Sequence, residues 1–582
     1  MRKPFGDVRP LYIYAATAVV AAAATVLVMS AGLHLYGRLR PEGTAGVVVS
    51  RLKQCAGSFD LLIRNGQVLD GLGHDPLRAD VGVRDGHIAC IGSFEGAEAA
   101  RVIDAAGGIV APGFIDVHTH VERNLPAARH PFLAPNFIRQ GVTTLITGNC
   151  GRSALPLGPV LDRLEQDGAQ VNVASFVGHN SIRRKVMGMD ARAPSDAELA
   201  AMRSLVTRSM SEGALGISTG LAYLPGAYAQ RDELISLARA AAERGGIYVT
   251  HLRDEGLRGA DAIREAIDIG SAASVPVHIS HFKAQGRSQW GTAAPRLALV
   301  DEARRRGLRV SIDQYPYAAS STSLELLLPV VESEEGGARA AQEIREPRER
   351  ARLRAGMIER LRANGWDDYS FARVAYCPSN LALNGLNIAQ IAARRNVPLS
   401  TTGTAHVATT ALESGGSPVE RQADVILDLL AVGGAQMIYF DMSDDDVAAI
   451  LSHPDTMFGS DSGVRLENAP AIPHPRGMGT FPRVLARYVR DLHLLSLPEA
   501  VRHMTSLPAE TFGLVGRGQL VEGYWADFVI FDPAVVADRA TYEAPLLPPQ
   551  GISYVAVNGT LVLDAGRLTT ATPGKALRGR GR

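Results

Sequence analysis

Cysteine is scarce in this chain: 4 residues in 582, at Cys55, Cys90, Cys150 and Cys377. No pair has CxxC spacing and no disulfide framework is readable. That leaves a reactive or metal-bound thiol open for one of them. An excess of either charge is also absent, since 60 Lys+Arg balance 60 Asp+Glu. A nucleic-acid binder normally carries a basic excess, so no nucleic-acid partner is expected. What the chain does have is length and apolar content, 46% hydrophobic residues. That is more than one ordinary domain and enough for a large core.

Charge is missing altogether from residues 10–37, "PLYIYAATAVVAAAATVLVMSAGLHLYG". A membrane span takes roughly 20 mostly apolar residues, while a signal-peptide core takes about 7–15. Residues 1–37 are therefore expected to form a single N-terminal transmembrane helix that anchors the protein in a membrane. A cleaved signal, with a secreted or periplasmic product, is the alternative. Arg2, Lys3 and Arg9 precede the run and Arg38, Arg40, Arg51 and Lys53 follow it, so the flanking charges give no orientation. Residues 38–57 read as a linker.

From Phe59 the pattern alternates. "FDLLIRNGQVLDG" and "ADVGVRDGHIACIG" place apolar and polar residues in turn around Asn-Gly and Asp-Gly pairs, a hairpin signal. "GYWADFVIFDP" and "ISYVAVNGTLVLDAGRL" repeat it near the other end. Residues 58–112 and 515–570 are expected to pair into one small β-sandwich domain, with 571–582 as a tail. Between them, over 113–514, short apolar strands alternate with helical stretches. The strand candidates are "GFIDVHTH", "VTTLITGNC", "NVASFVGHN", "ALGISTG", "IYVTHLRDE", "PVHISHFK", "RVSIDQYPY" and "TMFGSDSG". The pattern predicts an α/β fold, a (β/α)8 TIM-like barrel with its active site at the C-terminal strand ends. An open doubly wound sheet is the competing topology. Ser195 and Glu198 have capping-box spacing at the head of a helix over Asp196–Glu212. The long connection at about 329–445 reads as an inserted subdomain or lid.

His118 and His120 alternate in "DVHTH", and on a strand both imidazoles face one side. His251, His281 and Asp461 end three other predicted strands. In a barrel these five side chains converge on one rim, and imidazole with thiolate suits Zn2+. His278, three residues before His281, faces the other way and reads as structural.

The motifs "APGFIDVHTH", "GVTTLITGNCG", "STGLAYLPGAYA", "YVTHLRDEG", "HISHFKAQG", "DQYPYAASST", "GSDSG" and "HPRGMGTFPRVL" run through the chain in order. From about Ser58 to Thr570 the chain resembles the amidohydrolase superfamily, and within it the N-acyl-D-amino-acid deacylases (D-aminoacylases). Many amidohydrolases bridge two metals with a carboxylated lysine on strand four. Here "ALGISTG" has no lysine. The resemblance gives the bridging role to Cys150, whose zinc-bound thiolate supplies the missing negative charge. It implies one tight zinc site at Cys150, His251 and His281. It implies a second, weak or vacant site at His118 and His120, with Asp461. Cys55, Cys90 and Cys377 read as inert buried thiols. The resemblance also marks Lys283, Tyr315, Ser321 and Arg476 as the residues that bind the substrate's carboxylate. The sequence departs from the family pattern directly after HxH, where Val121 precedes Glu122, and in the segment "VRLENAPAI".

The resemblance implies zinc-dependent hydrolysis of small-molecule N-acyl-D-amino acids to a carboxylic acid and a D-amino acid. Asp461 is the expected catalytic residue, taking a proton from water and passing one to the leaving amine. The alternatives are a dipeptidase-like enzyme, a cyclic-amide hydrolase, and a catalytically silent binding protein on the same scaffold.

Overall fold

Strand-forming residues punctuated by left-handed turns build the first layer. The computed structural model describes residues 53–125, 130–329, 344, 346–394 and 416–581. Its first strands are β1 (Ser58–Val68), β2 (Leu77–Arg84), β3 (His87–Gly92), β4 (Glu98–Asp104) and β5 (Ile109–Pro112). Asp85 and Gly86, at φ 51° and 74°, turn β2 into β3, as a two-residue loop with two positive φ angles does. Asn65–Gly66 does not turn the chain. Asn65, at φ 58°, sits at a bulge inside β1, which continues past it along β2. A bulge absorbs a left-handed residue without ending the strand.

Seven barrel-wall segments follow: β6 (Phe114–Asp116), β7 (Val142–Thr147), β8 (Asn172–Ser175) with its continuation β9 (Val177–Gly178), β10 (Gly216–Gly220), β11 (Ile247–His251), β12 (Val277–Ile279) and β13 (Val310–Gln314). Every residue of β7 is buried, as expected for a parallel strand covered on both faces. Helices such as Asp196–Glu212 and Gly259–Ala273 lie between the strands. The Asp196 helix has the expected capping box: Glu198 N–H donates to Ser195 Oγ at 3.4 Å, and Ser195 N–H to Glu198 Oε2 at 2.8 Å.

Next comes the insertion. Its strands β14 (Ala372–Tyr376) and β15 (Gln436–Tyr439) pair antiparallel. With helices Pro347–Ala363 and Pro418–Ala431 they enclose a separate core around Met357, Leu361, Ile391 and Met437. The last wall strand, β16 (Thr456–Phe458), pairs with β13. Just past it the ring closes on β6: Asp461 N–H donates to His118 O at 2.8 Å, and His120 N–H to Ser462 O at 2.9 Å. The eight parallel wall strands thus form a (β/α)8 ring. Ile115, Ile146, Phe176, Val249 and Met457 fill its interior, packed against Phe512.

The chain returns through β17 (Phe528–Phe531), β18 (Ile552–Val557), β19 (Thr560–Asp564) and β20 (Arg567–Leu568). The expected sandwich is, in its hydrogen bonding, one nine-stranded sheet. β17 pairs directly with β5, so the two ends of the chain join edge to edge. The tail past residue 570 is tied to the barrel: Gly574 N–H donates to Ala169 O at 2.7 Å and Leu577 N–H to Val173 O at 2.8 Å.

Cys55 and Cys90 are not free thiols. They form a disulfide with a Cα–Cα distance of 6.1 Å. Pairing of the segment before β1 with Ser93 brings them together across a separation of 35 residues, a distance at which no local motif signals a bridge. Cys377 is buried and free, its Sγ 3.1 Å from Ser379 Oγ. The transmembrane helix expected within residues 1–37 lies outside the described residues. No helix among the described residues is long and apolar enough to cross a membrane.

Candidate metal centre and active site

Every expected metal ligand lies on the rim where the wall strands end. Cys150, His281 and Asp461 sit two or three residues beyond β7, β12 and β16, with φ of 52°, 35° and 48°. Left-handed backbone at a non-glycine residue costs energy and is held only where the surroundings enforce it. Here it turns each side chain back over the barrel mouth. His251 is the final residue of β11, and His118 and His120 follow β6.

Cys150 Sγ lies 3.4 Å from His118 Nε2, 3.8 Å from His251 Nδ1 and 3.6 Å from His281 Nε2. His251 Nδ1 and His281 Nε2 are 2.8 Å apart. His118, Cys150, His251 and His281 are all buried. Asp461 Oδ1 is 3.1 Å from His120 Nε2 and 3.8 Å from His118 Nε2. Three overlapping triads result: His118–His120–Cys150, Cys150–His251–His281 and His118–His281–Asp461. Soft sulfur and imidazole donors this close, turned toward one point, fit a zinc ion. Burial pushes the Cys150 thiol up, but His118, His120 and His251 hold it well below its ordinary value. Burial opposes the charged form of His118, yet Asp313 and Cys150 raise it to about 10.

Around the donors stands a carboxylate set that sequence reasoning missed. Glu255 Oε1 is 2.9 Å from His281 Nδ1. Asp313 Oδ2 is 3.3 Å from His118 Nδ1 and 2.8 Å from His278 Nε2. His278 therefore does not merely face away; it braces the site from below through Asp313. Glu122, one position later than the family pattern, lies 3.6 Å from His120 Nδ1 and accepts from Thr147 Oγ1 at 2.8 Å. Carboxylates behind histidine ligands fix the ring and its tautomer. Asp313 lies near the C-terminal end of β13, two residues before Tyr315, and that placement is the signal that could have found it. Glu255 carries none, being on a loop.

The expected carboxylate clamp is assembled in part. Arg476 Cζ lies 4.6 Å from the centre of the Tyr315 ring, and Arg476 Nη2 donates to Ser321 O at 3.1 Å. Arg476 Nη1 is 2.9 Å from Asp461 Oδ2. The Ser321 hydroxyl donates to Met437 O at 2.7 Å, on β15. Lys283 is itself paired: its ammonium donates to Glu255 Oε1 at 2.6 Å and lies 2.8 Å from His281 Nδ1. Burial makes an unpaired ammonium costly, and Glu255 is the acid within reach.

A cavity of about 430 Å3 opens beside His251 and Glu255 and is also lined by Gln285, Leu326, Arg360 and Asn364. Those last four side chains also line an adjoining chamber of about 500 Å3, whose other walls include Met357, Leu361, Trp366, Phe371 and Tyr439.

The sequence profile of the amidohydrolase family matches residues 101–563. The chain belongs to the amidohydrolase family. Among its relatives, this amidohydrolase is 38% identical to a D-aminoacylase of Alcaligenes xylosoxydans xylosoxydans, over 89% of this chain and 97% of that one. It is similar to a crystal structure of N-acyl-D-glutamate deacylase from Bordetella bronchiseptica, complexed with zinc and a phosphonate inhibitor that mimics the tetrahedral intermediate. That similarity has a TM-score of 0.72 and 34% identity, covering 90% of this chain and all of that one. A D-aminoacylase structure with a binuclear metal centre, in which one metal activates and a second attenuates, matches at a TM-score of 0.72 and 36% identity, covering 89% and 100%.

Proposed function

We propose that this amidohydrolase is a zinc-dependent N-acyl-D-amino-acid deacylase. The observation that carries the reading is the convergence of Cys150, His251 and His281 within 3.8 Å, backed by similarity to a D-aminoacylase and an N-acyl-D-glutamate deacylase. Cys150, His251 and His281 would hold the tight ion, and His118, His120 and Asp461 a weaker one. Bound there, zinc supplies Lewis-acid polarisation of the amide carbonyl and an activated water at neutral pH. The remaining steps belong to side chains of this chain. Asp461 takes the proton of the attacking water and returns one to the leaving amine nitrogen. Arg476, with Tyr315 beneath it and Ser321 beside it, binds the α-carboxylate. Lys283, ion-paired with Glu255 and 6.0 Å from the centre of the Tyr315 ring, is the second cation of the clamp. The aromatic and aliphatic chamber beyond His251 favours substrates with an apolar group beside the scissile amide.

Turnover of N-acetyl and longer N-acyl amino acids, both enantiomers, with zinc analysis on the same sample, tests this. Expected are D-selective release of the amino acid and about one tight zinc per chain. Cys150→Ala should lose both the zinc and the activity, while Cys377→Ala keeps both. Full zinc and ordinary turnover in Cys150→Ala contradict the ligand assignment.

We also infer that the catalytic unit works in an oxidising compartment, held at a membrane by the uncharged run of residues 10–37. The Cys55–Cys90 bridge supports this, because cytosolic thiols are ordinarily kept reduced. Cells quenched in acid and alkylated under denaturing conditions should yield Cys55 and Cys90 unmodified and Cys150 and Cys377 labelled. Labelling of all four contradicts the compartment. Full-length protein found wholly in the soluble fraction contradicts the anchor.

A further inference from the structure

Arg476 opens the helix Arg476–Arg483 and Ser321 lies in the loop after β13, and one buried imidazole joins the two. His474 is 4% exposed. Its Nδ1 lies 3.0 Å from the Arg476 backbone nitrogen, and its Nε2 lies 3.0 Å from Ala319 O. A backbone N–H only donates and a carbonyl only accepts. The ring is therefore the neutral tautomer with its hydrogen on Nε2, and both nitrogens are used. Tyr317 and Tyr542 pack edge-on against it, with ring centres at 5.1 and 5.2 Å. Burial and the Arg476 charge hold its pKa well below the usual imidazole value, which keeps Nδ1 free to accept.

We propose that His474 is the positioning residue of the carboxylate clamp, fixing the spacing between Arg476 and the Ser320–Ser321 segment. The proposal rests on the reading of Arg476 as the partner of the substrate's α-carboxylate. Besides its ion pair with Asp461, Arg476 is held at two points. Its guanidinium donates to Ser321 O, and its backbone is tied through the imidazole to Ala319, two residues earlier in the same loop. Tyr315 lies under the guanidinium. This closes a small frame in which one ring sets the distance between the cation and the loop. Loss of that frame displaces the guanidinium without touching Cys150, His251 or His281, and small displacements of a positioning group are costly. A third element steadies the frame: Asp538, in the chain segment that carries Tyr542, accepts from Arg483 Nη1 at 3.1 Å and lies 3.5 Å from the Tyr317 hydroxyl.

The test uses two variants of the full chain with zinc bound. His474→Phe keeps a ring between Tyr317 and Tyr542 and removes both hydrogen bonds. His474→Gln keeps one acceptor and one donor on a planar group. KM and kcat are measured for an N-acyl-D-amino acid and for its methyl ester, alongside zinc content. His474→Phe should raise KM for the free acid about tenfold, the scale of one lost hydrogen bond, change KM for the ester far less, and leave zinc at the wild-type value. His474→Gln should recover most of the lost affinity. Should His474→Phe not fold, His474→Asn, whose short amide reaches one of the two partners, takes its place with the same acid-selective rise expected. An equal rise in KM for acid and ester, or no rise at all, overturns the proposal. Arg476→Ala runs beside it. If Arg476→Ala distinguishes acid from ester and His474→Phe does not, only the role of His474 fails. If neither does, the clamp reading itself fails.

Discussion

Arg476 Nη1 stands 2.9 Å from Asp461 Oδ2, so the cation expected to bind substrate is ion-paired with the acid expected to move the proton. Burial raises the Asp461 pKa, but Arg476 and His120 outweigh it and hold the carboxyl well below the usual range. A carboxylate so stabilised is a weak base. An incoming α-carboxylate competes for the same guanidinium, and drawing it away makes Asp461 more basic as the substrate seats. Arg476→Ala should therefore lower kcat/KM for free acids about 10–150-fold, the worth of a charge-assisted hydrogen bond. Esters should lose far less. Equal losses would show that Arg476 does not touch the carboxylate.

Glu255 joins Lys283 to His281, at 2.6 Å and 2.9 Å. Its pKa is held low against burial, chiefly by Lys283 and then by His251 and His281. Glu255→Gln keeps the shape and removes the charge. Zinc affinity should fall about 10–100-fold, as is usual when the partner of a histidine ligand is lost. Competition with a chelator gives the number, and an unchanged affinity would leave Glu255 with packing alone.

Asp441 is buried, with its Oδ2 accepting from Gln285 Nε2 at 2.7 Å and Ser320 Oγ at 3.2 Å from both carboxylate oxygens. Burial raises its pKa from 3.8 to about 6. A raised carboxyl pKa means that the folded state holds the proton more tightly than the unfolded state. The cost of ionising Asp441 is absent below about pH 4, grows up to about pH 6, and is constant above it. That cost is about 3 kcal/mol at about 1.4 kcal/mol per unit. Asp441→Asn removes it, so the variant's stability relative to wild type should rise between pH 4 and pH 7. Urea midpoints at both ends of that window measure this. A flat difference would show that Asp441 titrates normally.

The sequence makes the metal centre legible because strand geometry is periodic. His118 and His120 alternate on one face, and the remaining ligands close separate strands. The sequence hides what depends on contacts between distant residues. Cys55 meets Cys90 only through pairing before β1. Asn65 reads as a turn but lies within β1, because pairing with β2 outweighs the local signal. Lys283 has the right face for substrate, yet Glu255, 28 residues earlier, takes its charge. Cys150, His281 and Asp461 gave no sign of their left-handed backbone, since residue type does not encode enforced strain.

The central claim is that a Cys150–His251–His281 site holds the metal while Asp461 carries the proton. Asp461→Asn separates the two functions, since the amide keeps the shape and cannot accept a proton near neutral pH. General acid–base catalysis contributes about 10²–10⁴-fold, so kcat should fall by at least that range while tightly bound zinc stays at the wild-type level. The measurement is zinc content and kcat on one preparation of the variant. Loss of zinc in step with activity would contradict the account and make Asp461 a structural ligand instead.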